Sequence, residues 1–107
     1  MGFFDFLQSP NINQGVERFR GTPDAVLLDV RTEQEYSEGH IPDSKNLSLD
    51  SLDKAAEIIK NKSVPIFVYC YSGARSSQAV AYLKQSGYTN VENIGGISAW
   101  RGEVTQK

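Results

Sequence analysis

Val64-Pro65-Ile66-Phe67-Val68-Tyr69-Cys70-Tyr71-Ser72-Gly73-Ala74-Arg75-Ser76 is the stretch on which the fold turns. Residues 64 to 69 are apolar throughout, as in a strand buried on both faces. The segment Cys70 to Arg75 then leads into a helix that runs to Ser86, with Gly87 as its stop and Ala79, Val80 and Leu83 as its inward stripe. Working outward, Ala25 to Val30 is a second strand of the same kind, and Asp29 and Arg31 mark its charged carboxyl end. Thr32-Glu33-Gln34-Glu35 has the form of a capping box and predicts a short helix from Thr32 to Gly39, after which His40-Ile41-Pro42 turns the chain. Asp50 or Ser51 can cap a helix through Lys60, in which Leu52, Ala55, Ala56 and Ile59 repeat at helical spacing. Val91 to Ile94 reads as a further strand, Gly95-Gly96 opens a last short helix holding Trp100, and Ser9-Pro10-Asn11 reads as a turn. This alternation predicts an α/β fold: a mostly parallel central sheet with right-handed crossovers and helices on both faces, whose sites lie beyond the carboxyl ends of the strands.

At 107 residues and 39% hydrophobic content, the chain supports one core, so residues 1–107 are expected to form a single domain. Eleven Lys and Arg against thirteen Asp and Glu give a charge of −2, too balanced to point to nucleic acid or an anionic membrane as partner. The longest apolar run, Val64 to Tyr71, is far short of the roughly 20 residues that span a bilayer. The first residues lack early Lys or Arg and a cleavage site, and Phe6 stands where myristoylation wants Ser or Thr, so no targeting signal is read. Phe3, Phe4, Phe6 and Leu7 are expected to pack against the body of the domain, a small docking patch being the alternative. One cysteine and one histidine rule out an internal disulfide and leave too few ligands for structural zinc. A reducing, cytoplasmic location is expected.

Cys70 stands where a buried strand meets a helix N-terminus, with Gly73 inside the turn. Such a turn can curl backbone N–H groups toward one centre, and the helix dipole adds positive charge, so the thiolate is favoured. A free cysteine has a pKa of about 8.5, and helix N-termini or adjacent cations lower it to roughly 3.5–7.5. Arg75 is the adjacent cation, and its planar guanidinium suits an oxyanion substrate. A lone cysteine ending an apolar strand is ordinarily an inert small hydrophobe. Burying a thiol, however, requires none of Ser72, Gly73 or Arg75, and their combination with Cys70 favours a functional site.

These residues resemble the rhodanese family of sulfurtransferases, in particular its small single-domain members. Leu28-Asp29-Val30-Arg31, Glu35-Tyr36 and Gly39-His40-Ile41-Pro42 are similar to the family's N-terminal signature, and Val68 to Ser76 to its active loop. Asn93-Ile94-Gly95-Gly96 with Trp100 is similar to its closing segment, while residues 1–11 lie outside the resemblance. The resemblance implies a rhodanese-like domain that takes a sulfane sulfur from a donor such as thiosulfate, holds it as a Cys70 persulfide, and passes it to a thiol, cyanide or a protein cysteine. It implies that the backbone of Tyr71, Ser72, Gly73, Ala74, Arg75 and Ser76 cradles the persulfide charge. Tyr71 replaces the Arg or Lys that many thiosulfate-using relatives carry. No cofactor or metal is expected, and a monomer is.

For Asp29, Arg31 and Glu35, a charged network behind the loop competes with an ordinary set of caps and ion pairs, and the latter is preferred. His40 invites a dyad with Cys70, but in the Gly-His-Ile-Pro context the resemblance implies a turn residue bound to backbone. Trp100 reads as a core anchor, and Tyr36, Tyr82 and Tyr88 receive no role. Two other functions use similar parts. A cysteine phosphatase or arsenate reductase of this fold would need five residues between Cys and Arg; here there are four, and no second thiol is present to resolve a disulfide. A non-catalytic binding module of the same fold would normally lack the cysteine.

Overall fold

The computed structural model describes residues 10–107. Its sheet has four parallel strands, β1 (Val26–Asp29), β2 (Lys45–Asn46), β3 (Ile66–Cys70) and β4 (Val91–Gly96), in the order β2-β1-β3-β4. The helices are α1 (Ile12–Arg20), α2 (Glu33–Glu38), α3 (Ala55–Ile58) and α4 (Ala74–Gln85), with 3-10 segments at Leu49–Lys54 and Ile97–Ala99. Because side chains alternate across a strand, each face of the sheet has its own core. Leu28, Val30, Ile66, Val68 and Cys70 meet Ala79 and Leu83 of α4 and Leu52, Ala55 and Ile59 on one face. Leu27, Phe67, Tyr69 and Ile94 meet Ile12 and Val16 of α1 on the other. The expected parallel sheet with helices on both faces is therefore the architecture. The four Phe and Leu positions discussed at the extreme N-terminus lie outside the described residues.

Four local features differ from the sequence reading, the first being the last short helix, a 3-10 turn over Ile97–Ala99 that ends before Trp100, while Gly95 and Gly96 belong to β4. Asn11, assigned to a turn, is the N-cap of α1: its side-chain oxygen accepts from the N–H groups of Asn13 and Gln14. Gly15 lies on the buried face of this helix beside Ile12 and Val16. Its reason is contact, since a Cβ there would lie 2.5 Å from Ile94 Cβ, so only glycine lets α1 settle on β4. The helix expected through Lys60 is instead a 3-10 segment followed by the one-turn α3, because Ser51 leaves helical geometry at φ −116° and ψ 15°. Leu52, Ala55 and Ile59 are buried nonetheless. Strand β2 was not anticipated, being two residues long and without an apolar pattern.

The pairing of β3 with β4 shifts partway. Val68 faces Asn93 but Tyr69 faces Gly95, so Ile94 is an extra residue on β4. Gly95 absorbs the bend at φ +107°. At the C-terminus, Thr105 and His40 exchange backbone hydrogen bonds of 2.8 Å, tying the tail to the turn after α2. No helix among the described residues is long and apolar enough to cross a membrane.

Candidate active site

Cys70 ends β3 and is 1% exposed. Beyond it the chain turns at Gly73, whose φ of +106° suits glycine and which caps the start of α4. The turn bends the backbone around the sulfur: Gly73 N–H donates to Sγ at 3.0 Å and Ser76 N–H at 3.3 Å. The Ser76 hydroxyl lies 3.4 Å from Sγ. The Cys70 thiol is consequently held below its ordinary pKa: burial is the largest single influence and pushes it up, but the polar groups that Ser76, Gly73 and Ser72 set around the sulfur together pull it down further. Tyr71 is 55% exposed at the loop tip, and its carbonyl accepts from Ser98 N–H at 3.0 Å. Gly96 makes this seating possible, because a Cβ there would overlap the Tyr71 carbonyl and Ser72 Cα.

Arg75 is paired with a carboxylate. Its guanidinium donates twice to Glu35 of α2, at 2.7 and 3.1 Å. Glu35 also closes the capping box of α2, accepting from Thr32 N–H at 2.9 Å while Thr32 Oγ accepts from Glu35 N–H. The paired guanidinium, with these Thr32 donors, holds the Glu35 carboxyl down at about 2 against the opposing effect of burial. Arg75 thereby fastens the first turn of α4 to α2.

Asp29 and Arg31 form a separate assembly at the end of β1. Asp29 is fully buried, accepts from Arg31 Nε at 3.1 and 3.0 Å, and from Nη2 at 2.7 Å. The same Nη2 donates to the Gly39 carbonyl at 2.7 Å, and Asn46 Nδ2 donates to the carbonyls of Asp29 and Arg31. His40 likewise bonds to backbone: its Nδ1 lies 2.8 Å from the Tyr36 carbonyl and its ring stacks on Tyr36 at 3.6 Å. Tyr36 has a bracing role that sequence did not give it, since its hydroxyl also reaches the Ser44 carbonyl. Trp100 packs on the core beside α1 and donates to the Glu103 carbonyl.

One residue at the site had been quoted only as part of a motif. Asn93 Oδ1 accepts from Ser76 Oγ at 2.7 Å and from Gly95 N–H at 2.9 Å, and its Nδ2 donates to the Gly73 carbonyl at 3.2 Å. A polar amide set between apolar strand positions and a Gly-Gly pair was the available signal. Beside the loop, Ser72, Gly73, Ser77, Asn93, Gly96 and Ser98 contribute to a cleft of about 430 Å³ whose lining carries no charged side chain. Among the described residues, no group of three or more His, Cys, Asp or Glu could hold a metal.

Known proteins share this fold and much of this sequence. Residues 13–103 match the family described as the rhodanese-like domain. A protein named sulfurtransferase from Allochromatium vinosum is 46% identical over 86 residues, covering 78% of each chain. The thiosulfate sulfurtransferase GlpE of Pseudomonas syringae pv. syringae is 38% identical over 86 residues, again covering 78% of each. Among solved structures, the Alr3790 protein from Anabaena superposes with a TM-score of 0.78 at 30% identity, covering 89% of this chain and 78% of that one. A rhodanese from E. coli, solved with anions, superposes at 0.72 and 30% identity, covering 78% and 99%.

Proposed function

The chain belongs to the rhodanese-like domain family as a sulfurtransferase, and from that premise we propose that Cys70 moves a sulfane sulfur from thiosulfate to a thiophilic acceptor through a persulfide. The observation that carries this reading is the Cys70 sulfur held by the N–H groups of Gly73 and Ser76 at the mouth of a glycine turn. The thiolate attacks the outer sulfur of thiosulfate; a new S–S bond forms with Cys70 as the old one breaks, and sulfite departs with the electron pair. The persulfide's negative charge then sits on its outer sulfur, where the backbone of residues 71–76 supplies donors already aimed inward. An acceptor thiolate attacks that outer sulfur, and Cys70 leaves as a thiolate, ready for another cycle. A depressed thiol pKa serves both steps, since it supplies the nucleophile and eases its departure.

Arg75, paired with Glu35, keeps the loop in shape in this scheme. The reaction runs in one domain, acting as a monomer, and a thiol that must stay free suits the cytoplasm. Incubation with thiosulfate followed by intact-mass measurement should show one added sulfur atom that excess thiol removes and that Cys70→Ser lacks. An unchanged mass with thiosulfate and with a persulfide donor alike would sink the reading.

A further inference from the structure

We propose that Asn93 is a positioning residue that claims the hydroxyl proton of Ser76, so that Ser76 receives the thiol proton of Cys70 instead of donating to the thiolate. The backbone fixes the orientation of the Asn93 amide. Gly95 N–H can only donate, and it lies 2.9 Å from Oδ1; the Gly73 carbonyl can only accept, and it lies 3.2 Å from Nδ2. Exchanging the amide's oxygen and nitrogen would set donor against donor and acceptor against acceptor, so two backbone groups fix the amide. Its oxygen therefore faces Ser76 Oγ at 2.7 Å and must be given a proton.

Ser76 has one proton to give. Given to Asn93, it leaves a lone pair of Oγ facing the Cys70 sulfur at 3.4 Å. In the thiol form the chain is complete, S–H to Ser76 and O–H to Asn93. In the thiolate form Ser76 must either keep its proton on Asn93 and turn a lone pair toward the anion, or give up a 2.7 Å bond to turn toward a sulfur 3.4 Å away. Stabilisation of the anion therefore falls to the N–H groups of Gly73 and Ser76. Ser76 is fully buried, so no water takes the place of either partner. The bulge at Ile94 is what brings this about, because it sets Gly95 N–H beside the Asn93 side chain.

The inference bears on the proposed sulfur transfer only through Cys70, and its test uses no sulfur donor, so the two can fail separately. Cys70 is the chain's one cysteine, and its thiolate can be titrated by ultraviolet absorbance with Cys70→Ser as the blank. Ser76→Ala keeps a good helix former in α4 and leaves Asn93 Oδ1 its bond from Gly95. At a pH below the wild-type midpoint its thiolate fraction is expected to equal or exceed that of wild type. A lower fraction overturns the proposal, since losing a donor to an anion would cost about tenfold or more. Asn93→Ala frees the Ser76 proton and should raise the thiolate fraction in wild type but not on the Ser76→Ala background. An equal effect of Asn93→Ala on both backgrounds would mean that Asn93 acts on the loop without Ser76, which also overturns it.

Discussion

Adjacent parallel strands β1 and β3 end side by side at the carboxyl end of the sheet, and both ends hold an acidic group in buried surroundings. At the end of β1, Asp29 is answered by a full side-chain charge, Arg31, whose remaining donor is satisfied by the Gly39 carbonyl. At the end of β3, Cys70 is answered by backbone N–H groups, while the loop's cation, Arg75, makes its hydrogen bonds to Glu35. The difference separates a structural anion from a reactive one. A carboxylate with a matched, buried counter-charge gains nothing by changing state, whereas a sulfur held by fixed dipoles can lose a proton, gain a sulfur atom and keep the same donors.

The largest effect should come from breaking the β1 end. Asp29→Ala leaves Arg31 buried without its partner, and we expect a loss of about 3–5 kcal/mol in urea unfolding, whereas Cys70→Ser should stay within about 1 kcal/mol of wild type. Equal losses in the two variants would erase the distinction. Next is Gly96→Ala, whose Cβ meets the Tyr71 carbonyl. The strain should cost about 1–3 kcal/mol, and displacing the loop should slow sulfur loading, timed by intact mass, far more than it lowers the urea midpoint. Loading at the wild-type rate would show that the cradle does not depend on the seating of the loop.

A smaller effect concerns the thiol. The rate of Cys70 alkylation against pH should have its midpoint below the value of about 8.5 for a free cysteine, in the direction that the donors around Sγ require. A midpoint at or above that value would make Cys70 the inert hydrophobe of its strand. The smallest effect belongs to the Arg75 pair. Glu35 is lowered to about 2 in the folded chain from about 4.3 when unfolded, so its contribution is present above the unfolded value and is lost as pH falls through the folded one. Because the pair is about one-third exposed, solvent screening should hold this to about 1 kcal/mol or less. Acid unfolding of Glu35→Gln, followed by circular dichroism, should show a correspondingly shallower loss of stability between about pH 4.3 and pH 2.

Strands β1 and β3 were legible because their apolar runs need no partner to be recognised, and the loop from Cys70 to Ser76 was legible because glycine, cysteine and arginine in sequence have few other uses together. Hidden features depended on contacts between distant segments. Helix α1 went unread, and the reason for glycine at its position 15 is Ile94, far along the chain. Arg75 looked like a free cation because nothing in its neighbourhood in sequence shows that Glu35 will reach it. Asn93 gains its meaning only once β4 lies against the loop and Ser76 is turned inward.

The bulge on β4 also bears on how this stretch can change by descent. Between the Val68–Asn93 and Tyr69–Gly95 pairings, β4 spends one residue more than β3. Deleting a residue there would restore even counting and exchange the faces of everything on one side of the cut. Either Asn93 would leave the loop, or Gly95 and Gly96 would leave the places where Pro10 and Tyr71 press closest. This strand can therefore drift by exchange of side chains but not by loss or gain of one, and its length should be among the most slowly changing traits of the chain.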